Sequence, residues 1–298
     1  MHEQKKWEAI PLWDNNTCLI CKFTPKRARC QQVFADSLGS AAGGGGKAGR
    51  DVERSRGLGD VYKRQAVVRS GVDFAAAARE ALGHALKSAG AEADEIICTV
   101  STGYGRDNVP WADGRMTEIA CHGKGAFHHF RRRMTVIDIG AQDSKVIHLD
   151  DAGRRTSFKM NRKCAAGTGA FLDEIALRLD LPVSELNGLA ERSTKEVTLG
   201  SFCTVFTATE ILAKIRAGER VEDIVKGAFR SVVKRIVEMD TVDGALVMTG
   251  GVVAHNPLLA TLAEEAFDTP VHVPPDPQHI GALGAALFAF EQAERGEP

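Results

Sequence analysis

The sequence has almost no excess charge: 38 Lys and Arg stand against 39 Asp and Glu, a formal net charge of -1. That excludes a general electrostatic pull toward nucleic acid or an anionic membrane. It has no run of 18 apolar residues, which excludes a helix spanning a bilayer. The opening MHEQKKWEAIPLWDNN lacks the apolar core of a signal peptide, so the expected location is cytoplasmic. Seven cysteines, an odd number, do not make a disulfide framework. In a reducing compartment such thiols are buried, metal-binding or reactive. At 298 residues the chain has room for two domains or one large one. Chains of this size bury roughly 75% of their unfolded surface.

What is present divides unevenly. From about Ala66 the pattern is orderly. Asp73 suits the cap of a helix through FAAAAREALGHALKSAG, with Gly90 as its stop. EIICTVSTGYG reads as a buried strand, followed by a helix near RMTEIACHGKGAF. MTVIDIGAQDSKVIHLDDAGRRTSFKM reads as two strands around a loop, a DDAG turn and a third strand. Helices are expected at about 168–179, 204–217 and 221–240, then a strand in ALVMTGG and a helix after Asn256. TPVHV gives a short strand, and a last helix falls near 279–294. Strands alternating with helices predict an α/β fold.

Residues 1–65 follow no such pattern. AAGGGGKAGRDVERSRGLGDVYKRQ is Gly-rich and basic without apolar period and is expected as coil. Its GGGGKAG is not a phosphate-binding P-loop, because Ala41 and Ala48 occupy the Gly and Ser/Thr ends of that motif. Cys18, Cys21 and Cys30 lack the paired four-ligand spacing of a metal site and are assigned to the same unordered tail. RGLGDVYKRQ resembles translated sequencing-adapter sequence, which implies a replaced N-terminus upstream of Ala66.

Two stretches suit phosphate. VIDIGAQDSK is an apolar strand ending in Asp138, then Gly140 and polar residues at a turn. Gly140 lets backbone N–H groups approach an anion, and a carboxylate at such a turn can hold Mg²⁺ or orient a water. A plain strand-turn-strand is the competing reading. VMTGGVVAHNP repeats the logic with Gly250 and Gly251 before a helix start near Asn256; ordinary turns use such pairs too. Gly281 and Gly284 in QHIGALGAALFAF are read as small residues for tight helix packing.

Two thiols stand out. Cys164, in NRKCAAGTGAF, and Cys203, in GSFCTVFTATEILAKIRAG, each precede an expected helix. Unpaired N–H groups and the helix dipole there favour a thiolate, by about 0.3–1 kcal/mol. Cys98 and Cys121 fall in strand and helix patterns and are expected as core. An iron–sulfur cluster of the [4Fe–4S] type takes four thiolates, and an isologous dimer would double two per chain to four. Two unrelated buried thiols remain the alternative. His122, His128 and His129, near three arginines, are expected on a surface loop.

The order of VIDIGAQDSK, TGGVV and QHIGALG resembles the actin-like, sugar-kinase and Hsp70-type ATPase fold, with two RNase H-like α/β halves closing on ATP. That fold's first phosphate loop, Asp-x-Gly-[Ser/Thr], has no match in residues 1–65, so the N-terminal half is expected to be incomplete. The implied division is 1–65 as a disordered or artefactual N-terminus, 66–133 as the rest of the first half, and 134–298 as the second half with the cysteine-bearing helices. More narrowly, KCAAGTGAFLDEIA with SFCTVFTATEI, between IDIGAQDSK and TGGVVAHNPLL, closely resembles the activators of 2-hydroxyacyl-CoA dehydratases and the ATPase subunits of benzoyl-CoA reductases. The resemblance runs from about Ala66 to Glu291. It implies that Cys164 and Cys203 bind a [4Fe–4S] cluster shared across a homodimer, or across homologous subunits. It also implies ATP or ADP with Mg²⁺, ferredoxin or flavodoxin as electron donor, and the catalytic subunits of either acyl-CoA enzyme as partner. In that scheme Asp138 and Gln142 handle metal or water, Gly140 and Asp143 shape the phosphate site, and Gly250 and Gly251 line the adenosine side. Asn256 caps the helix that follows. Lys145 is left out, as a solvated strand residue. The rival function is a sugar- or acetate-kinase-like phosphotransferase without a cluster.

Overall fold

The near-continuous apolar run in MTVIDI demands cover on both faces, and the fold provides it. The computed structural model describes residues 18–23, 65–200 and 203–296. Its larger sheet has five strands in the order β6-β5-β4-β7-β8. These are β4 (Met134–Ile139), β5 (Ser144–Leu149), β6 (Arg155–Asn161), β7 (Ala245–Thr249) and β8 (Val271–His272). β4 pairs antiparallel with β5 and parallel with β7; β5 and β6 are antiparallel and β7 and β8 parallel. Every residue of β4 and β5 is buried.

One face of this sheet carries α2 (Glu118–Phe130) and α9 (Ile280–Arg295), which close over Met134, Val136, Leu149 and Val247. The other face packs Ile137, Ile139 and Val146 under α3 (Gly169–Arg178), α4 (Leu186–Glu191), α6 (Val221–Val237) and α8 (Leu258–Phe267), with Phe171 and Phe229 at the centre. α5 (Thr204–Arg216) lies against α3, and α7 (Gly251–His255) follows β7 directly. The smaller sheet, in the order β1-β2-β3, joins β1 (Cys18–Phe23), β2 (Ile96–Thr102) and β3 (Gly114–Arg115), with α1 (Phe74–Ala89) preceding β2.

Most expected elements form. Asp73 Oδ1 accepts from Ala76 N at 2.9 Å, and Gly90 stops α1 in a left-handed conformation, φ 61°. Cys98 and Cys121 are buried, as expected, and burial pushes the Cys121 thiol up to about 12. Glycine lets α9 cross α2 at backbone distance: a Cβ on Gly284 would overlap the Cys121 carbonyl, and one on Gly125 the Ile280 carbonyl. Tight packing was the expected role of Gly284.

Three expectations need correction. CLICKF, assigned to the unordered tail, is a strand: β1 pairs antiparallel with β2, Cys18 opposite Thr102 and Cys21 opposite Thr99. Cys30, GGGGKAG and RGLGDVYKRQ lie outside the described residues. α4 and α7 were not expected; each is too short to show a helical period. The three histidines are not on a surface loop: His122 is buried on α2, the helix expected near RMTEIACHGKGAF, which runs on so that His128 and His129 are half-buried in its last turn. No helix among the described residues is long and apolar enough to cross a membrane.

Candidate functional site

The register of the larger sheet places Asp138 of β4 opposite Lys145 of β5 and Thr249 of β7. Paired residues point to the same face, so the three side chains meet. Asp138 Oδ2 accepts from Lys145 Nζ at 3.1 Å, and Oδ1 accepts from Thr249 Oγ1 at 3.2 Å. His122 Nδ1, one helical turn after Glu118 on α2, lies 3.4 Å from the same Oδ1. It fits because α9 has glycine there: a Cβ on Gly281 would stand 2.9 Å from His122 Nε2. Lys145, only 3% exposed, also reaches Asp143 Oδ1 at 2.6 Å and Glu118 Oε2 at 3.7 Å.

Opposed effects set the charges. Burial alone would push the Asp138 carboxyl up, but His122, Lys145 and Thr249 together hold it below the usual carboxylate range. Burial pulls Lys145 down; the carboxylates of Asp138, Glu118 and Asp143 outweigh it, so the ammonium lies above the usual lysine range. Burial drives the His122 imidazole down, against the raising pull of the Asp138 carboxylate. The solvated strand residue expected at Lys145 is therefore the hub of a buried charge cluster. The signal was available in the turn length: a four-residue turn between Ile139 and Ser144 puts Lys145 across from Asp138.

Gly140 to Asp143 form the turn between β4 and β5, closed by Gly140 N donating to Asp143 O at 2.9 Å. Among the described residues, no protein acceptor takes the N–H groups of Ala141, Gln142 or Asp143. Consecutive unspent amides of this kind make an anion-binding concavity. Gln142 is exposed at the tip. The hairpin carbonyls face the other way: Gly169 N donates to Gly140 O at 2.9 Å and Ala170 N to Ala141 O at 2.7 Å. Ser144 Oγ donates to Gly167 O.

Those three bonds tie the hairpin to the end of the Cys164 turn, at Gly167, and to the first two residues of α3. Asn161 Nδ2 donates to the carbonyls of Cys164 (3.2 Å) and Ala166 (2.8 Å), and Thr168 Oγ1 donates to Ala165 O at 2.6 Å. Cys164 itself is exposed. It does not sit at the helix start as expected, because α3 begins only at Gly169 with Thr168 as cap; the helix-dipole argument does not apply to it. Cys203 is the N-cap residue of α5, exposed, its carbonyl accepting from Thr207 N at 2.8 Å. Among the described residues, no three His, Cys, Asp or Glu side chains within one chain are placed to hold a metal ion.

The second expected loop closes on the first. Gly250, at φ 101°, packs so that a Cβ would overlap Ile139 O and stand 2.8 Å from Asp138 Oδ1. Gly251 opens α7. Asn256 does not cap the following helix: it ends α7, its Nδ2 donating to Val252 O at 2.9 Å, while Asn187 Oδ1 accepts from Leu258 N. Asn256 is 1% exposed and its Oδ1 has no partner among the described residues.

A model of the BadF/BadG/BcrA/BcrD ATPase family matches residues 50–289. The chain belongs to this ATPase family. The activator of lactoyl-CoA dehydratase from Anaerotignum propionicum is 38% identical over 252 residues, covering 80% of this chain and 97% of that one. The crystal structure of component A of (R)-2-hydroxyglutaryl-CoA dehydratase from Acidaminococcus fermentans superposes with a TM-score of 0.72 at 39% identity, covering 76% of this chain and 88% of that one. The activator of 2-hydroxyisocaproyl-CoA dehydratase from Clostridium difficile, solved with bound ADPNP, gives 0.69 at 40% identity, covering 74% and 83%. The expected actin-like ATPase fold is thereby borne out. For this BadF/BadG/BcrA/BcrD ATPase, the hairpin of β4 and β5, Gly250 and the two exposed cysteines are the features on which a functional reading has to rest.

Proposed function

We propose that the chain is an ATP-driven electron activase, passing low-potential electrons to a partner acyl-CoA enzyme, either a 2-hydroxyacyl-CoA dehydratase or the catalytic subunits of a benzoyl-CoA reductase. The observation that carries this reading is the triple tie from the hairpin to Gly167 of the Cys164 turn and to the start of α3 directly after it. A nucleotide phosphate seated on the hairpin amides would act on a segment directly bonded to that thiol's loop.

The donor set fits half of a [4Fe–4S] site. Cys164 and Cys203 are exposed thiols, and the helices beside them, α3 and α5, pack together. Four thiolates require a second copy or a homologous subunit. Phe206, three residues past Cys203 and 69% exposed, is the kind of apolar group such a partner would cover. A cluster held there would supply a one-electron carrier between a ferredoxin- or flavodoxin-type donor and the acyl-CoA enzyme.

In this reading residues 66–133 and 134–298 are the two halves that close on the nucleotide. Gly140 and the amides of Ala141, Gln142 and Asp143 seat a phosphate, and Gln142 reaches attacking water from the tip. Gly250 and Gly251 let the β7–α7 junction approach the adenosine side. Asp138 and Asp143 are engaged by Lys145, which would leave Mg²⁺ brought by ATP to phosphate oxygens and water. Nucleotide shifts the cysteine loops only by its differential affinity for their two arrangements.

Anaerobic iron and sulfide determination tests this. Brown protein with about four irons and four sulfides per dimer is expected, as one [4Fe–4S] cluster requires, with loss of both in Cys164→Ala and in Cys203→Ala. Colourless, air-stable protein that phosphorylates a small acceptor would instead establish the kinase-like function.

A further inference from the structure

We propose, resting on the ATPase reading above, that Glu118 is the catalytic base that takes the proton of the water attacking the terminal phosphate of ATP. The hairpin offers few rivals. Asp138 is 2% exposed and both of its oxygens are engaged, Oδ2 by Lys145 and Oδ1 by Thr249 and His122. Asp143 already accepts from Lys145 at 2.6 Å. His122 is buried, with Nδ1 turned to Asp138 and Thr249 and Nε2 packed at Gly281. Gln142 has no basic site.

Glu118 differs from each of these. It stands in the first turn of α2, and Thr117 Oγ1 caps that turn by accepting from Ala120 N. Its nearest cation, Lys145 Nζ, is 3.7 Å away, beyond a hydrogen bond. Its side chain is 27% exposed, so water reaches it. α2 leads into β4, so Glu118 comes to the hairpin from a different element than the residues that form it. Burial pushes its carboxyl up, Lys145 and Arg106 pull it down, and Asp143 and Asp138 push it further up; the net shift is upward. A carboxylate above its ordinary range is a stronger proton acceptor, and carboxylates perturbed by burial together with specific charged neighbours concentrate at functional sites.

In the step, the water oxygen bonds to the γ-phosphorus. The bond from that phosphorus to the β–γ bridging oxygen breaks, and its electron pair stays on the β-phosphate of ADP. The water proton goes to a Glu118 carboxylate oxygen and is released to solvent with phosphate. Lys145 keeps Glu118 ionised before the step, and Gln142 holds the water.

Single-turnover and steady-state ATP hydrolysis by the full chain, Glu118→Gln and Glu118→Asp decide the matter, alongside ADPNP binding. Removal of a general base lowers turnover about 10²–10⁴-fold. That loss is expected in Glu118→Gln, with ADPNP binding and thermal midpoint unchanged and with part of the rate restored in Glu118→Asp. The base must be ionised, so the kcat profile of the unaltered chain should fall on the acid side above the ordinary carboxylate range, and Glu118→Gln should lose that limb. Turnover retained in Glu118→Gln, or weakened ADPNP binding with kcat intact, overturns the assignment. So does an unaltered chain that binds ADPNP yet hydrolyses no ATP in a single turnover. An unaltered chain that binds no ADPNP defeats the ATPase reading itself.

Discussion

Lys145→Met tests the charge cluster most directly. The substitution keeps much of the side-chain length and removes the ammonium that Asp138 accepts from at 3.1 Å inside the sheet. Removing one partner of a buried pair costs about 3–5 kcal/mol. Asp138 can escape by taking a proton, and at pH 7.5 that costs about 5 kcal/mol from an ordinary aspartate pKa. Both limits put the loss near 4 kcal/mol at pH 7.5. In the unaltered chain the Asp138 pKa is depressed, so its contribution is present above the unfolded value and fades as pH falls through the folded one. In Lys145→Met the folded pKa is raised, so the penalty is absent below the unfolded value and grows as pH rises. At pH 5 protonation costs only about 1.5 kcal/mol, and the deficit should shrink to that size. Urea unfolding followed by circular dichroism, at pH 5 and 7.5, reads both numbers. The double variant Asp138→Asn with Lys145→Met should be more stable than Lys145→Met alone, since no buried charge is stranded. A deficit below about 1 kcal/mol at pH 7.5, or one that does not change with pH, would refute the reasoning.

Other outcomes follow from the packing. Gly284→Ala pushes a methyl into the Cys121 carbonyl and should cost about 1–3 kcal/mol as overpacking, seen as a lower thermal midpoint. Gly83→Ala, in α1 with nothing within 4 Å of the added carbon, should gain about 0.5–1 kcal/mol by the same measurement. Thr249→Val removes a hydroxyl that Asp138 accepts from. It should cost about 1–3 kcal/mol and slow ATP hydrolysis, with stability and turnover both followed. Ser144→Ala cuts one tie to the Cys164 turn; nucleotide should then perturb the cluster's visible spectrum less, while ADPNP binding stays unchanged.

The strands, the long helices and the fold were legible because caps and apolar period carry them: Asp73 and Gly90 bound α1 as their chemistry requires. α4 and α7 escaped because five or six residues cannot show a period. β1 was grouped with the Gly-rich, basic stretch that follows it in the chain, and only its pairing with β2 reveals it. Asp138 and the glycines were read from the strand-turn motif itself. His122 and Lys145 were not, because a charged residue on a strand or helix is expected in water until its partner is known. Their partners come from register across the hairpin and from the helical step between Glu118 and His122, which are tertiary facts even where the arithmetic is short. Asn256 was assigned to the wrong helix because α7 had not been foreseen.

The bonds from Gly169 and Ala170 to the hairpin carbonyls have a mechanical consequence. The first two amides of α3, which would otherwise attract an anion, are already spent, so in the proposed ATPase the phosphate would fall to the hairpin tip. In that reading they also fix one jaw of a caliper, because the start of α3 just past the Cys164 turn would move with the β4–β5 hairpin. Any change in the gap between the two sulfur atoms must then be taken up in the span from α3 to Cys203, where insertions or stiffening prolines would tune the opening without touching the nucleotide pocket.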